Sequence, residues 1–216
     1  MKEFFKKIFS KESLKKFFRT YIWLMVLLFV IDIVTKWVVV NHFGVEAMNK
    51  GVHSESGAIA VIKGFTYIGG SINNKAAFSL GPHRAVLLII SIVMTGAFIG
   101  FYISQFKKIG TMYRVSLALM IAGGFGNLID RAFYWPSTTG FDGVVDWIIF
   151  RFGPTESYEF AMFNIADSCL VIGIILAIIQ MIIDEIKNAK AKAKKGEFKY
   201  SPEELEKKNN EANKGE

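Results

Sequence analysis

The stretch Phe163–Ile183, FNIADSCLVIGIILAIIQMII, is almost wholly apolar and long enough to cross a lipid bilayer, yet carries Asn164 and Asp167 near its start. A span needs about 20 apolar residues. An ionisable group inside one is expensive and faces a bundle interior or a wet cavity. Both the fold and the site turn on how this stretch is read.

Three further runs have the same character: Tyr21–Val40, Ala85–Ile103 and Val115–Phe133. With 52% apolar residues in 216 and a positive mean hydropathy, the chain reads as a small polytopic membrane protein with four transmembrane helices. Basic residues set the expected orientation. Seven Lys/Arg lie in residues 1–20, three in Ser104–Arg114 and nine after Asp184, whereas the other connections are poor in them for their length. By the positive-inside rule both termini are cytoplasmic, and His42–Arg84 and Ala132–Met162 lie outside.

The net charge of +7 is therefore a topology and membrane-surface signal, and no nucleic-acid partner is expected. The first run is too long for a signal peptide, and WVVVNHF offers no small-x-small cleavage site. Ahead of it, Phe and Lys alternate at helical spacing in a basic amphipathic segment, residues 1–20. Residues 21–183 form the membrane domain, and 184–216 a basic cytoplasmic tail in which Ser201-Pro202-Glu203-Glu204 can start a short helix. The lone Cys169 reads as a buried structural thiol, and His42, His53 and His83 lack metal-ligand spacing. No metal or cofactor is expected.

With this topology the intramembrane polar residues converge on one layer near the outer face. Asp32 lies beyond the midplane on the first helix. Asn127, Asp130 and Arg131 end the third, Asn164 and Asp167 begin the fourth, and Asp146 and Asn73 sit in outer connections. GNLID and FNIAD each place Asn and Asp three apart on one helix face, where an Asn amide can donate to a carboxylate. Asp32 and Lys36 are spaced for an internal ion pair, with Lys36 also able to snorkel outward. Segment 60–81 reads as one or two short strands of a small extracytoplasmic β-sheet.

Close carboxylates without a Ser, Cys or His nucleophile arrangement point to acid–base hydrolysis, in which one ionised carboxyl activates water and a protonated one donates. Spacing does not choose between Asp130 and Asp146 as the partner of Asp167. The rival reading is a small transporter or proton-coupled carrier with buried carboxylates, which predicts polar groups spread through the membrane depth.

Five motifs in order resemble lipoprotein signal peptidase (type II signal peptidase): DIVTK at Asp32–Lys36, NNKAAFS at Asn73–Ser79, GGFGNLIDR at Gly123–Arg131, VVDW at Val144–Trp147 and FNIADS at Phe163–Ser168. The resemblance covers about residues 21–183. It implies a monomeric bacterial inner-membrane aspartyl endopeptidase, surrounded by membrane lipids, that cleaves prolipoproteins before a diacylglyceryl-modified cysteine. By the same resemblance Asp146 and Asp167 are the catalytic pair, with Asp32, Asn73, Asn127, Asp130, Arg131 and Asn164 binding substrate or supporting the site. The family's Asn-x-Gly-Ala-Ala pattern reads Asn73-Asn74-Lys75-Ala76-Ala77 here. That departure leaves open which asparagine faces the site.

Overall fold

A computed structural model describes residues 11–55, 57–73, 84–133, 143–152 and 158–194. Lys75, Asn74 and the Ser201 segment lie outside these. Helix α1 (Lys11–Arg19) precedes α2 (Ile22–Phe43), and the short α3 (Val45–Lys50) follows. Then come strands β1 (Ile59–Ile62) and β2 (Thr66–Asn73), helices α4 (Arg84–Gln105) and α5 (Thr111–Phe133), strands β3 (Val144–Phe152) and β4 (Tyr158–Glu159), and helix α6 (Ile165–Lys194).

Among the described residues four helices are long and apolar enough to cross a membrane: Ile22–Phe43, Ala85–Gln105, Thr111–Phe133 and Ile165–Lys192. Each overlaps one expected run, because apolar length alone decides a span. At about 1.5 Å per residue, the 22 residues of α2 make roughly 33 Å, enough for a hydrocarbon core of about 30 Å. The last helix outruns the sequence reading by eleven residues, Asp184–Lys194, since charged residues stop hydrophobicity but not helix.

The helices are not equivalent. Half of the apolar window of α5 is buried, against 11–17% in the other three, so α5 is the axis on which the others pack. Its buried face runs through Ser116, Ala118, Ile121, Ala122, Gly126 and Asp130. Small residues let neighbouring backbones approach closely. A Cβ on Gly123 would strike the Ala166 carbonyl, and one on Gly173 would meet the Ser116 carbonyl at 2.9 Å. Ser116 Oγ donates to Gly173 O at 2.6 Å, tying α5 to α6 at mid-helix. Cys169 is buried and free. From Ile178 the chain belongs to a second compact unit, within which Gln180 donates to Asp184 at 2.7 Å.

The strands form one open antiparallel sheet in the order β1-β2-β3-β4. The first two occupy the segment where short strands were expected. β3, which carries Asp146, was not anticipated from sequence. Its Val145 and Ile149 are fully buried, and Val145 packs with Val39, Val40, Met48 and Val52 in a small core beneath the sheet. β4 is held at the edge by Glu159, which accepts from His53 Nδ1 and Ser54 Oγ, both at 2.6 Å.

One irregularity decides the site. Ile68 pairs with Ile148, but Ser71 pairs with Asp146 and Asn73 with Val144, so β2 holds one extra residue over that interval. A one-residue slip moves side chains to the opposite face. The bulge therefore turns Asn73 onto the face of Asp146. Gly69 and Gly70 make it possible: Gly70 has φ +146°, and a Cβ there would meet the Asp146 carbonyl at 2.6 Å.

Candidate active site

The first turn of α6 builds half of the site by local chemistry. Asn164 precedes the helix, and its Oδ1 accepts the Asp167 N–H at 2.9 Å. The Asp167 carboxylate reaches back to the Asn164 N–H at 3.1 Å. This reciprocal pair is a capping box written with Asn and Asp. It explains the three-residue spacing in FNIAD and holds Asp167, half-buried, where the helix N-terminus favours negative charge.

β3 supplies the other carboxylate. Asp146 is 4% exposed. Its Oδ2 accepts from Asn73 Nδ2 at 2.9 Å across the bulged ladder, and its Oδ1 accepts from Asn164 Nδ2 at 2.8 Å. Asn164, itself 0% exposed, thus holds Asp146 with its side chain and Asp167 with its backbone. The same amide nitrogen lies 3.2 Å from both Asn127 Oδ1 and Val145 O, so its two hydrogens are shared among three acceptors on two elements.

The last turns of α5 complete the network. Asn127 Nδ2 donates to Asp167 Oδ1 at 2.7 Å, while its Oδ1 faces the Lys36 ammonium at 3.4 Å. A donor-only ammonium on one side and an acceptor-only carboxylate on the other leave the Asn127 amide a single sensible orientation. Each asparagine of the two repeated motifs therefore serves a carboxylate in a different segment: Asn127 serves Asp167, and the Asn164 side chain serves Asp146. Arg131 Nη1 donates to Ser91 Oγ on α4 at 3.1 Å and to Asn127 O at 3.4 Å. Ser91 had no signal in the sequence.

Asp130 and Asp32 face elsewhere. Both are buried and paired with Lys36, at 2.8 Å and 2.7 Å. The expected Asp32–Lys36 pair is present, but Lys36 does not snorkel. At 0% exposure it stays inside, because two carboxylates and an amide oxygen hold it there.

Asp146 and Asp167 both line a cleft of about 480 Å³, together with Asn73, Asn127 and Arg131. A second, almost wholly apolar pocket of about 500 Å³ is walled by Phe150, Phe152, Phe160 and Phe163 and also reaches Asp167. Its aromatic wall is continuous: Phe65 stacks on Phe150 at 5.3 Å between ring centres, and Phe150 meets Phe163 at the same separation. Asp167 thus stands where a polar cleft and an apolar pocket meet. Burial, and next the neighbouring Asp167 carboxylate, push Asp146 up to about 7, against the hydrogen bond from Asn73, the Lys36 charge and the hydrogen bond from Asn164. Among the described residues no group of three or more His, Cys, Asp or Glu side chains is placed to hold a metal ion.

Fold and site together define a four-span membrane protein in which two asparagine-braced carboxyls line one cleft. The family model described as signal peptidase (SPase) II matches residues 24–183, and the chain belongs to that family of membrane peptidases. Two solved structures, both described as bacterial membrane enzymes determined by the in meso method, are similar to it. The one at 2.3 Å resolution has 31% identity and a TM-score of 0.60, covering 77% of this chain and 89% of its own. The one at 1.9 Å has 30% identity and a TM-score of 0.57, covering 75% and 92%.

Proposed function

We propose that the chain is an aspartyl endopeptidase that removes signal peptides from prolipoproteins, cutting before the diacylglyceryl-modified cysteine, with Asp146 and Asp167 as its catalytic pair. The observation that carries this reading is that these two carboxyls line one cleft and are tied to each other through Asn164. Asp146, raised to about 7, is the acid. Asp167, at the edge of the polar cleft, is the base.

In the reaction Asp167 takes a proton from water as the water oxygen bonds to the scissile carbonyl carbon. Asp146 gives its proton to the carbonyl oxygen, and a neutral tetrahedral gem-diol results. On collapse the C–N bond breaks, Asp167 passes its proton to the leaving amine, and Asp146 recovers one from a gem-diol hydroxyl. Both groups end as they began. The apolar pocket beside Asp167 suits a substrate that carries hydrocarbon on the residue next to the cut.

Residues 21–183 form the catalytic unit, with the basic segments 1–20 and 184–216 on the cytoplasmic side of a bacterial inner membrane and the site near the opposite face. The working unit is a monomer in contact with membrane lipid, and Asn73, Asn127, Arg131 and Asn164 orient the pair and its substrate.

The test is cleavage of a diacylglyceryl-prolipoprotein by purified protein, read as a gel shift. Asp146→Asn and Asp167→Asn are each expected to insert and fold yet lose cleavage. Full activity in either variant sinks the assignment.

A further inference from the structure

Lys36 is the one fully buried cation among the described residues, and an ammonium has three hydrogens to place. Each of its three neighbours leads to the carboxylate pair by a different route. Asp32, at 2.7 Å, accepts with its other oxygen the N–H of Ala166, the residue before Asp167, at 2.9 Å. Asp130, at 2.8 Å, accepts the N–H of Val145, the residue before Asp146, at 3.2 Å. Asn127, at 3.4 Å, donates directly to Asp167.

The packing is shaped around this arrangement. Gly126 has no side chain where one would strike Asp32 Oδ2 and come within 2.9 Å of Ala166 Cβ, so α2 and α6 meet across α5 only because that position is bare. Neither Asp32 nor Asp130 lines the cleft or the apolar pocket. A buried ion-pair network is poor evidence for stability, because desolvation offsets its Coulomb gain. Its use here is geometric.

We propose that Lys36 is the positioning residue of the site: one ammonium joins α2, α5, β3 and α6, and so sets the separation of Asp146 from Asp167. The inference rests on those two residues being the catalytic pair. Lys36 touches neither substrate nor reacting atoms. It acts through the backbone grips that Asp32 and Asp130 make and through the Asn127 amide.

The experiment measures prolipoprotein cleavage by full-length protein against pH, for Lys36→Met and for the double variant Asp32→Leu with Lys36→Leu. The double variant removes the ammonium together with its partner on the same helix, so that failure of the single variant to fold does not stand in for the answer. Misplacing a catalytic group by about 1 Å costs roughly 100-fold in rate. A loss of that order in kcat, with KM kept within about threefold, is expected.

The decisive readout is the width of the pH–rate profile. Two carboxyls that repel titrate in separated steps, so moving them apart narrows the profile. The charged groups around the pair are Asp32, Lys36, Asp130 and Arg131. The Lys36 charge lowers the Asp146 pKa, so under a purely electrostatic role its removal moves the alkaline limb to higher pH and widens the profile. A purely structural role lowers amplitude alone. Either result, or wild-type kcat, overturns the proposal.

Asp146→Asn is assayed alongside. Activity in that variant overturns the catalytic assignment, and the inference with it. An inactive Asp146→Asn beside a Lys36 variant whose profile does not narrow overturns the inference only.

Discussion

Replacing Asn164 by Ala tests the site most severely, because that one side chain serves both carboxylates and the start of a helix. Losing its cap on the Asp167 N–H costs about 1 kcal/mol. Its amide also donates at 2.8 Å to Asp146 and lies 3.2 Å from Asn127 and Val145 oxygens, all in a fully buried position. Leaving such acceptors unpaired costs about 1–3 kcal/mol more. The sum, about 2–4 kcal/mol, corresponds to a melting point lowered by roughly 4–16 °C for a domain of this size.

Activity is expected to fall roughly 100-fold, since neither carboxylate keeps its orientation. The sign of the accompanying pH effect is set. The Asn164 hydrogen bond lowers the Asp146 pKa, so removing it raises that pKa beyond about 7, and the alkaline limb of the kcat profile moves to higher pH. Thermal unfolding in detergent and a gel-shift cleavage series between about pH 5 and 9 read both effects. An Asn164→Ala protein with wild-type melting point and rate, or with its alkaline limb displaced downward, refutes the reasoning.

Two further predictions follow from the same network. Asp146 is raised above its ordinary 3.8 to about 7, so its contribution to stability is full below pH 3.8 and is lost as pH rises through about 7. Asp146→Asn is therefore expected to melt higher than wild type at pH 8 but not at pH 4, and equal melting points at both values would contradict the burial argument. Gly126→Ala brings a Cβ against the Asp32 carboxylate, which Lys36 and the Ala166 N–H hold in place, and is expected to cost about 1–3 kcal/mol despite the better helix former. Gly96→Ala, on α4 with nothing within 4 Å, is the control and is expected to gain up to about 1 kcal/mol. Equal melting-point changes for the two variants would show that Gly126 is not a packing requirement.

Much of this architecture was legible in the chain. The four spans follow from apolar length, and each of the four long helices overlaps its run. One or two short strands were expected where β1 and β2 form. The Asn–Asp spacing in FNIAD suggested a side-chain amide donating to the carboxylate three residues on. The Asn164 amide instead donates to Asp146, and the local bonds are the backbone N–H bonds of a capping box. β3 escaped notice because VVDWIIFRF, mostly buried and interrupted by Asp146 and Arg151, follows neither clean alternation nor an uninterrupted apolar run. Ser91 and the phenylalanine wall were invisible for a simpler reason: single polar or aromatic residues among many carry no pattern.

By itself the sequence determined the number and length of the apolar spans and the polar residues they carry, both of which depend on residues close together in the chain. Only the tertiary structure shows which carboxylate lines the cleft with Asp167. Asp130 and Asp146 are equally acidic in sequence, but one faces the buried Lys36 and the other faces the cleft. It also decided that Asn73 reaches Asp146, because one extra residue in β2 reverses the face of every side chain beyond it. These outcomes rest on sheet register and on how closely α2, α5 and α6 approach, and neither quantity is carried by spacing along a single segment.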